Sequence, residues 1–184
     1  SNVAHELGID ATQVVRVYSD FTFESDKDLS EVKIFLWNGF CPVHYNFDIE
    51  DVERMRRHYP DGKIIVHPES KKSVADMSDM KGSTQYIYDT ISSSDPGSTW
   101  IIGTELTFVQ RIARDFSDRT IEPLKPSPCP NMRKVTLKNT AIAVSSVMDY
   151  VNGNGSLLNE VHVEQEHIDG AKIALQRMIE FVEK

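Results

Sequence analysis

The chain has 184 residues, 40% hydrophobic and 26% charged, enough apolar material for one main compact domain. A formal net charge of −8 repels a polyphosphate backbone on average, which argues against nucleic acid as a partner. The longest apolar runs, such as Thr140 to Val147, are broken by Ser145 and Ser146 and fall short of the ~20 residues a membrane-spanning helix needs, so a soluble protein is expected.

Residues 1–30 read as the remnant of a preceding domain and a linker, with Asn2 to Leu7 as a helix fragment and Ser25-Asp26-Lys27-Asp28 as a charged, exposed loop. The start shows no basic stretch followed by an apolar run, so no secretory signal is expected and the cytosol is the expected compartment.

Residues 31–135 alternate short β-like runs with segments of helical period, which predicts an α/β domain in three layers, α/β/α, around a short parallel sheet. Lys33 to Trp37 is the first strand. Asp48 then caps a helix with Ile49, Val52, Met55 and Tyr59 on its apolar face, ended by Pro60-Asp61-Gly62. Lys63 to His67 is the second strand, and Ser83 or Thr84 caps a helix carrying Ile87, Tyr88 and Ile91. Trp100 to Gly103 is the third strand, after which Thr104 is the expected cap of a helix bearing Leu106, Val109, Ile112, Ala113 and Phe116. The first three strands are continuous apolar runs, as in sheets covered on both faces. In the fourth, Thr120 to Leu124, Pro123 points to a strand end or a sheet edge. Residues 136–184 hold two further helices, one from Thr136 with Leu137, Ala141, Val144, Met148 and Val151, the other with Ile168, Ala171, Leu175, Met178 and Val182. They are expected to pack on the sheet or on a neighbouring domain, joined through the turn Asn152-Gly153-Asn154-Gly155.

Open parallel sheets bind ligands beyond the carboxyl ends of their strands, so the residues just after each strand are the first candidates. Two cysteines make no disulfide framework, and in a reducing compartment they suit metal binding or catalysis. Both Cys41 and Cys129 precede a proline in a loop expected at one sheet edge. A shared metal site and two separate buried thiols are equally compatible with the spacing. His67-Pro68-Glu69 sets an imidazole and a carboxylate at a strand end, fit for acid-base work or for an ordinary strand terminus and a solvated first-turn acid. Gly82-Ser83-Thr84 offers helix-start amides and two hydroxyls, which suits a phosphate, a carboxylate or plain N-capping. His44, three residues after Cys41, reads as a base, a substrate contact or a loop residue.

The ordered set Gly-Phe-Cys-Pro-Val-His (39–44), Val-His-Pro-Glu (66–69), Gly-Ser-Thr (82–84), Gly-Thr-Glu (103–105) and Cys-Pro-Asn-Met (129–132), followed by Arg133-Lys134-Val135-Thr136-Leu137, resembles the quinolinate synthase family. Glu160-Val161-His162-Val163 resembles the family's end, and the likeness runs from about Ala4 onward. The resemblance implies an enzyme of NAD biosynthesis that condenses iminoaspartate with dihydroxyacetone phosphate to quinolinate, with the enzyme that supplies iminoaspartate as a partner. It also implies a 4Fe-4S cluster on three cysteines with one open iron, of which Cys41 and Cys129 are two ligands. By position, Glu69 is the main acid-base residue, and His67 and His44 bind substrate carboxylates or relay protons. Ser83 and Thr84 hold a carboxylate or the phosphate, and Met132 lies against the cluster. The family has three similar α/β domains, of which this chain would hold one plus flanking helices. The third cysteine and further substrate residues belong to its amino-terminal portion, so the chain alone is expected to be inactive. Two other readings are a non-catalytic α/β ligand-binding domain without the cluster, and a Cys-His hydrolase using Cys41 and His44, which leaves Cys129 without a role.

Overall fold

The computed structural model describes residue 4, residues 7–23 and residues 28–182. The expected helix fragment over Asn2 to Leu7 falls mainly outside the described residues, as do Ser25 to Lys27 of the expected charged loop. The chain divides into two compact units, Ser1–Arg133 and Lys134–Lys184.

In the first unit, β1 (Val14–Val17) pairs in parallel with β2 (Ile34–Trp37) to make a two-stranded sheet. Two helices follow, α1 (Pro42–Tyr45) and α2 (Ile49–His58). The remaining strands are β3 (Lys63–Val66), β4 (Met80–Lys81), β5 (Thr99–Gly103) and β6 (Thr120–Pro123), joined in the spatial order β4-β3-β5-β6. Every pairing is parallel. Parallel neighbours require crossovers, supplied by α3 (Lys72–Met77), α4 (Thr84–Ser92) and α5 (Leu106–Asp115).

The central strands β3 and β5 explain why the sheet is covered on both faces. Ile64, Ile65, Val66, Ile101 and Ile102 are all completely buried, and the period of two along a strand sends them to opposite sides. Ile64, Val66 and Ile101 pack with Val52 and Met55 of α2 and with Val74 and Ala75 of α3. Ile65, Trp100 and Ile102 pack with Ile87 and Ile91 of α4 and with Val109 and Ile112 of α5. The result is the three-layer α/β/α arrangement. Truncating any of these isoleucines to alanine is expected to cost about 2–5 kcal/mol. Gly103 ends β5 where no side chain fits, because a Cβ there would lie 2.7 Å from Val66 Cγ1 and 3.2 Å from Leu124 Cδ2.

Three details differ from the sequence expectation. The run Lys33 to Trp37 is not part of the main sheet and is not fully buried: β2 pairs with β1, and Phe35 and Trp37 on its second face are 55% and 51% exposed. Strands β1 and β4 and helices α1 and α3 were not anticipated: Arg16 interrupts the apolar run of β1, and the other three, of two, four and six residues, are too short to display a period. Finally, Glu105 and not Thr104 caps α5, its carboxylate accepting from the backbone N–H groups of Thr107 at 2.7 Å and Phe108 at 3.1 Å. A carboxylate spans two amides and suits the positive helix start, which leaves Thr104 free to serve the sheet edge. Pro123 does lie at the end of an edge strand, where no partner needs its missing N–H.

In the second unit, Thr136 caps α6 (Leu137–Val151), its hydroxyl accepting from Asn139 N–H at 3.1 Å. Gly153, at φ +75°, turns the chain out of that helix toward α7 (Gln165–Val182). Leu158 N–H donates to Ser146 Oγ at 3.3 Å and pins the connection to α6. Among the described residues, no helix is long and apolar enough to cross a membrane.

Candidate active site

The carboxyl ends of β3 and β5 collect most of the candidate residues. His67 follows β3 directly, and its N–H donates to the Gly103 carbonyl at 3.1 Å, so it continues the sheet pairing by one residue. Pro68 then turns the chain, and Glu69 N–H donates back to His67 Nδ1 at 3.3 Å. That bond makes Nδ1 an acceptor and leaves the proton of the neutral ring on Nε2. Burial holds the His67 pKa below its ordinary value, His44 lowers it further, and Glu69 partly opposes them.

His44 reaches the same place from α1. Cys41 is the N-cap and Pro42 occupies the first turn, where its absent N–H costs nothing, so His44 is presented one turn after the thiol. The imidazole is buried and stacks on His67, with ring centroids 4.1 Å apart and planes 8° apart. Its Nδ1 lies 3.1 Å from Glu69 Oε2 and its Nε2 lies 3.1 Å from Thr104 Oγ1. An ionised carboxylate can only accept, so Nδ1–H donates to Glu69 and Nε2 accepts the Thr104 hydroxyl proton. The Glu69 side chain itself is 59% exposed, a carboxylate fixed at its inner edge and open on the outer one.

Cys41 Sγ belongs to this group. A sulfur, a ring nitrogen and a carboxylate oxygen from Cys41, His44 and Glu69 all lie within 4.8 Å of one another. Cys129 is not in that grouping among the described residues, but the Ser127 side chain ties its loop to the Cys41 segment. Ser127 Oγ donates to the Val43 carbonyl at 2.9 Å and accepts from Asn46 Nδ2 at 3.3 Å. Cys129 N–H donates to Glu105 Oε1 at 3.1 Å. Upstream, Arg54 and Lys125 both bind Asp51, at 2.8 and 2.9 Å, and Arg54 also donates to the Leu124 carbonyl at 2.8 Å, which holds the start of the Cys129 loop on α2. Both thiols are free and half-buried.

Ser83 and Thr84 stand nearby on backbone grounds, because Gly82 N–H donates to the Val66 carbonyl at 3.1 Å, one residue before His67. Both are exposed, and Ser83 Oγ accepts from Tyr86 N–H at 3.2 Å as the N-cap of α4. Met132, in a short 3-10 turn after Cys129, is exposed. Thr104, Glu105, Ser127 and Asn46 were not singled out as site residues from the sequence. Thr104-Glu105 follows a strand within a motif already noted, a signal that was present; Ser127 and Asn46 carry no local signal, since their contacts span more than eighty residues.

The family model described as "Quinolinate synthetase A protein" matches residues 2–180. Proteins named quinolinate synthase are similar to this chain in Anoxybacillus flavithermus (36% identity over 182 residues), Geobacillus thermodenitrificans (37% over 182) and Bacillus mycoides (37% over 185). The alignments cover 97–98% of this chain and 48–49% of those proteins, so the chain spans about half the length of the curated relatives it matches.

Proposed function

This chain belongs to the quinolinate synthetase A family, and from that premise we propose that it forms the part of a quinolinate synthase that supplies two thiolates of a 4Fe-4S cluster and the principal acid-base residues. The substrates are iminoaspartate and dihydroxyacetone phosphate, joined with loss of phosphate and water. Cys41 and Cys129 are two of the three cluster ligands, and the third is assigned to the portion of the relatives' length that this chain does not span. Two free, half-buried thiols on loops tied together by Ser127 suit thiolate ligation of such a group. When bound, a cluster with one iron lacking a protein ligand supplies a Lewis acid for substrate oxygen.

The protein's own residues supply the rest. Glu69, held by His44 and open outward, takes and returns protons during enolisation and dehydration. His44 fixes the carboxylate's direction, and the His67 Nε2–H donates to a substrate carboxylate. Ser83 and Thr84 at the α4 start receive a carboxylate or the phosphate, and Met132 lies against the cluster. The same reading places the protein in the cytosol, alongside the enzyme that supplies iminoaspartate. It also assigns residues 1–30 to the remnant of a preceding domain and a linker, 31–135 to an α/β domain and 136–184 to the carboxy-terminal helices. The 184-residue chain alone is expected to lack turnover. A Cys-His hydrolase is disfavoured because both His44 nitrogens already have partners, leaving neither to take the Cys41 proton.

One observation carries this reading: Ser127 ties the Cys129 loop to the Val43 carbonyl, two residues from Cys41 and next to His44, whose ring holds Glu69. In the complete protein, assayed without oxygen with both substrates, Glu69→Gln should lower quinolinate production by about 10²–10⁴-fold while iron and sulfide contents stay at the wild-type level. Wild-type turnover in that variant would refute the assignment.

A further inference from the structure

We propose that Glu105 and Ser127 are positioning residues that hold the two cysteine loops in fixed register, a role that rests on the cluster reading above. Both are buried polar side chains, at 8% and 3% exposure, and each joins segments distant in sequence. Ser127 links the Cys129 loop to α1, the helix that begins at Cys41, by donating to the Val43 carbonyl and accepting from Asn46. Its own carbonyl accepts Leu106 N–H at 3.1 Å, so one residue is pinned to both α1 and α5. Glu105 caps α5 with Oε2, while Oε1 accepts Cys129 N–H and the Thr107 hydroxyl, the latter at 3.2 Å.

The two oxygens of Glu105 therefore do separable work. In a Glu105→Gln variant, the amide oxygen is retained by the two helix-start N–H groups, which have no other acceptor on that side. The amide NH₂ then faces Cys129 N–H, donor against donor. The helix cap survives and the cysteine anchor is lost. Metal-binding side chains depend on such supporting bonds for their orientation, because loop residues without them sample many geometries.

The chain has only two cysteines, so both can carry nitroxide spin labels without further substitution. Dipolar broadening between the labels should show a narrow distance distribution in the wild-type chain and a clearly wider one in Glu105→Gln and Ser127→Ala. Ser127→Thr, which keeps the hydroxyl, should restore it. Amide exchange at Cys129 should quicken by about tenfold in Glu105→Gln, with the Thr107 and Phe108 amides unchanged. Unaltered distributions and unaltered Cys129 exchange in both variants would overturn the proposal. Neither readout involves a metal, so widened distributions together with full iron content in a Cys129→Ser protein would sink the cluster reading and leave the clamp standing.

Discussion

The rings of His44 and His67 lie face to face, 4.1 Å between centroids and 8° from parallel. Two stacked imidazolium ions would repel at this distance, so the contact disfavours the charged form of His67. Burial and His44 both keep His67 neutral. Because its folded pKa lies below the unfolded value, the unfolded chain binds more protons, and stability falls as the pH drops below the unfolded pKa of about 6.5. The His67 Cε1–H resonance should titrate with a midpoint below 6.5, the ordinary value. A midpoint at or above it would show that the stack does not disfavour the charged form.

Thr104 supports the tautomer of His44 that Glu69 selects. Its hydroxyl donates to Nε2 at 3.1 Å, so the ring proton resides on Nδ1 and points at Glu69. Thr104→Val keeps the shape and leaves Nε2 buried without a donor, at a cost of about 1–3 kcal/mol. Nitrogen-15 shifts of the His44 ring should report loss of the pure Nδ1–H form in the valine variant and its return in Thr104→Ser. A wild-type nitrogen spectrum in Thr104→Val would contradict this role.

Asp51 gives the fold a sensitivity to acid. Burial alone would raise its pKa, but hydrogen bonds from Lys125, Arg54 and the Asp48 amide outweigh it and hold the carboxyl below the ordinary range. For a depressed carboxyl the stabilisation is present above the unfolded pKa of about 3.9 and is lost as the pH falls through the folded value. Asp51→Asn should cost about 1–3 kcal/mol at pH 7, where it leaves Lys125 and part of Arg54 without their charge partner, and less near pH 3, below the unfolded pKa. Urea unfolding at the two pH values decides it; an equal loss at both would mean that the charge is not what matters.

The parallel α/β layers were legible because β3, β5 and the helices α2, α4 and α5 carry their own periodicity. Ile64 to Val66 and Ile101 to Ile102 are too apolar to be anything but covered strands, and Val109 and Ile112 repeat at helical spacing. Strand partnership was not legible. Nothing local in Ile34 to Trp37 reports that it pairs with Val14 to Val17 and not with β3, nor could two residues, Met80 and Lys81, reveal a strand. The site divides in the same way. Residues at strand ends could be named from the sequence, and His44, His67 and Glu69 do come together. The bonds that orient them, from Thr104 across sixty residues and from Ser127 across eighty-four, exist only once the chain has folded.

In the proposed assembly Cys41 and Cys129 serve one cluster while Glu69 serves the chemistry beside it. Iron and acid-labile sulfide should therefore be measured in the complete protein, purified without oxygen, for Cys41→Ser, Cys129→Ser and Glu69→Gln. Each serine variant should lose its iron, sulfide and visible absorbance, and the glutamine variant should keep all three. A Cys129→Ser protein with wild-type iron content and turnover would contradict this assignment.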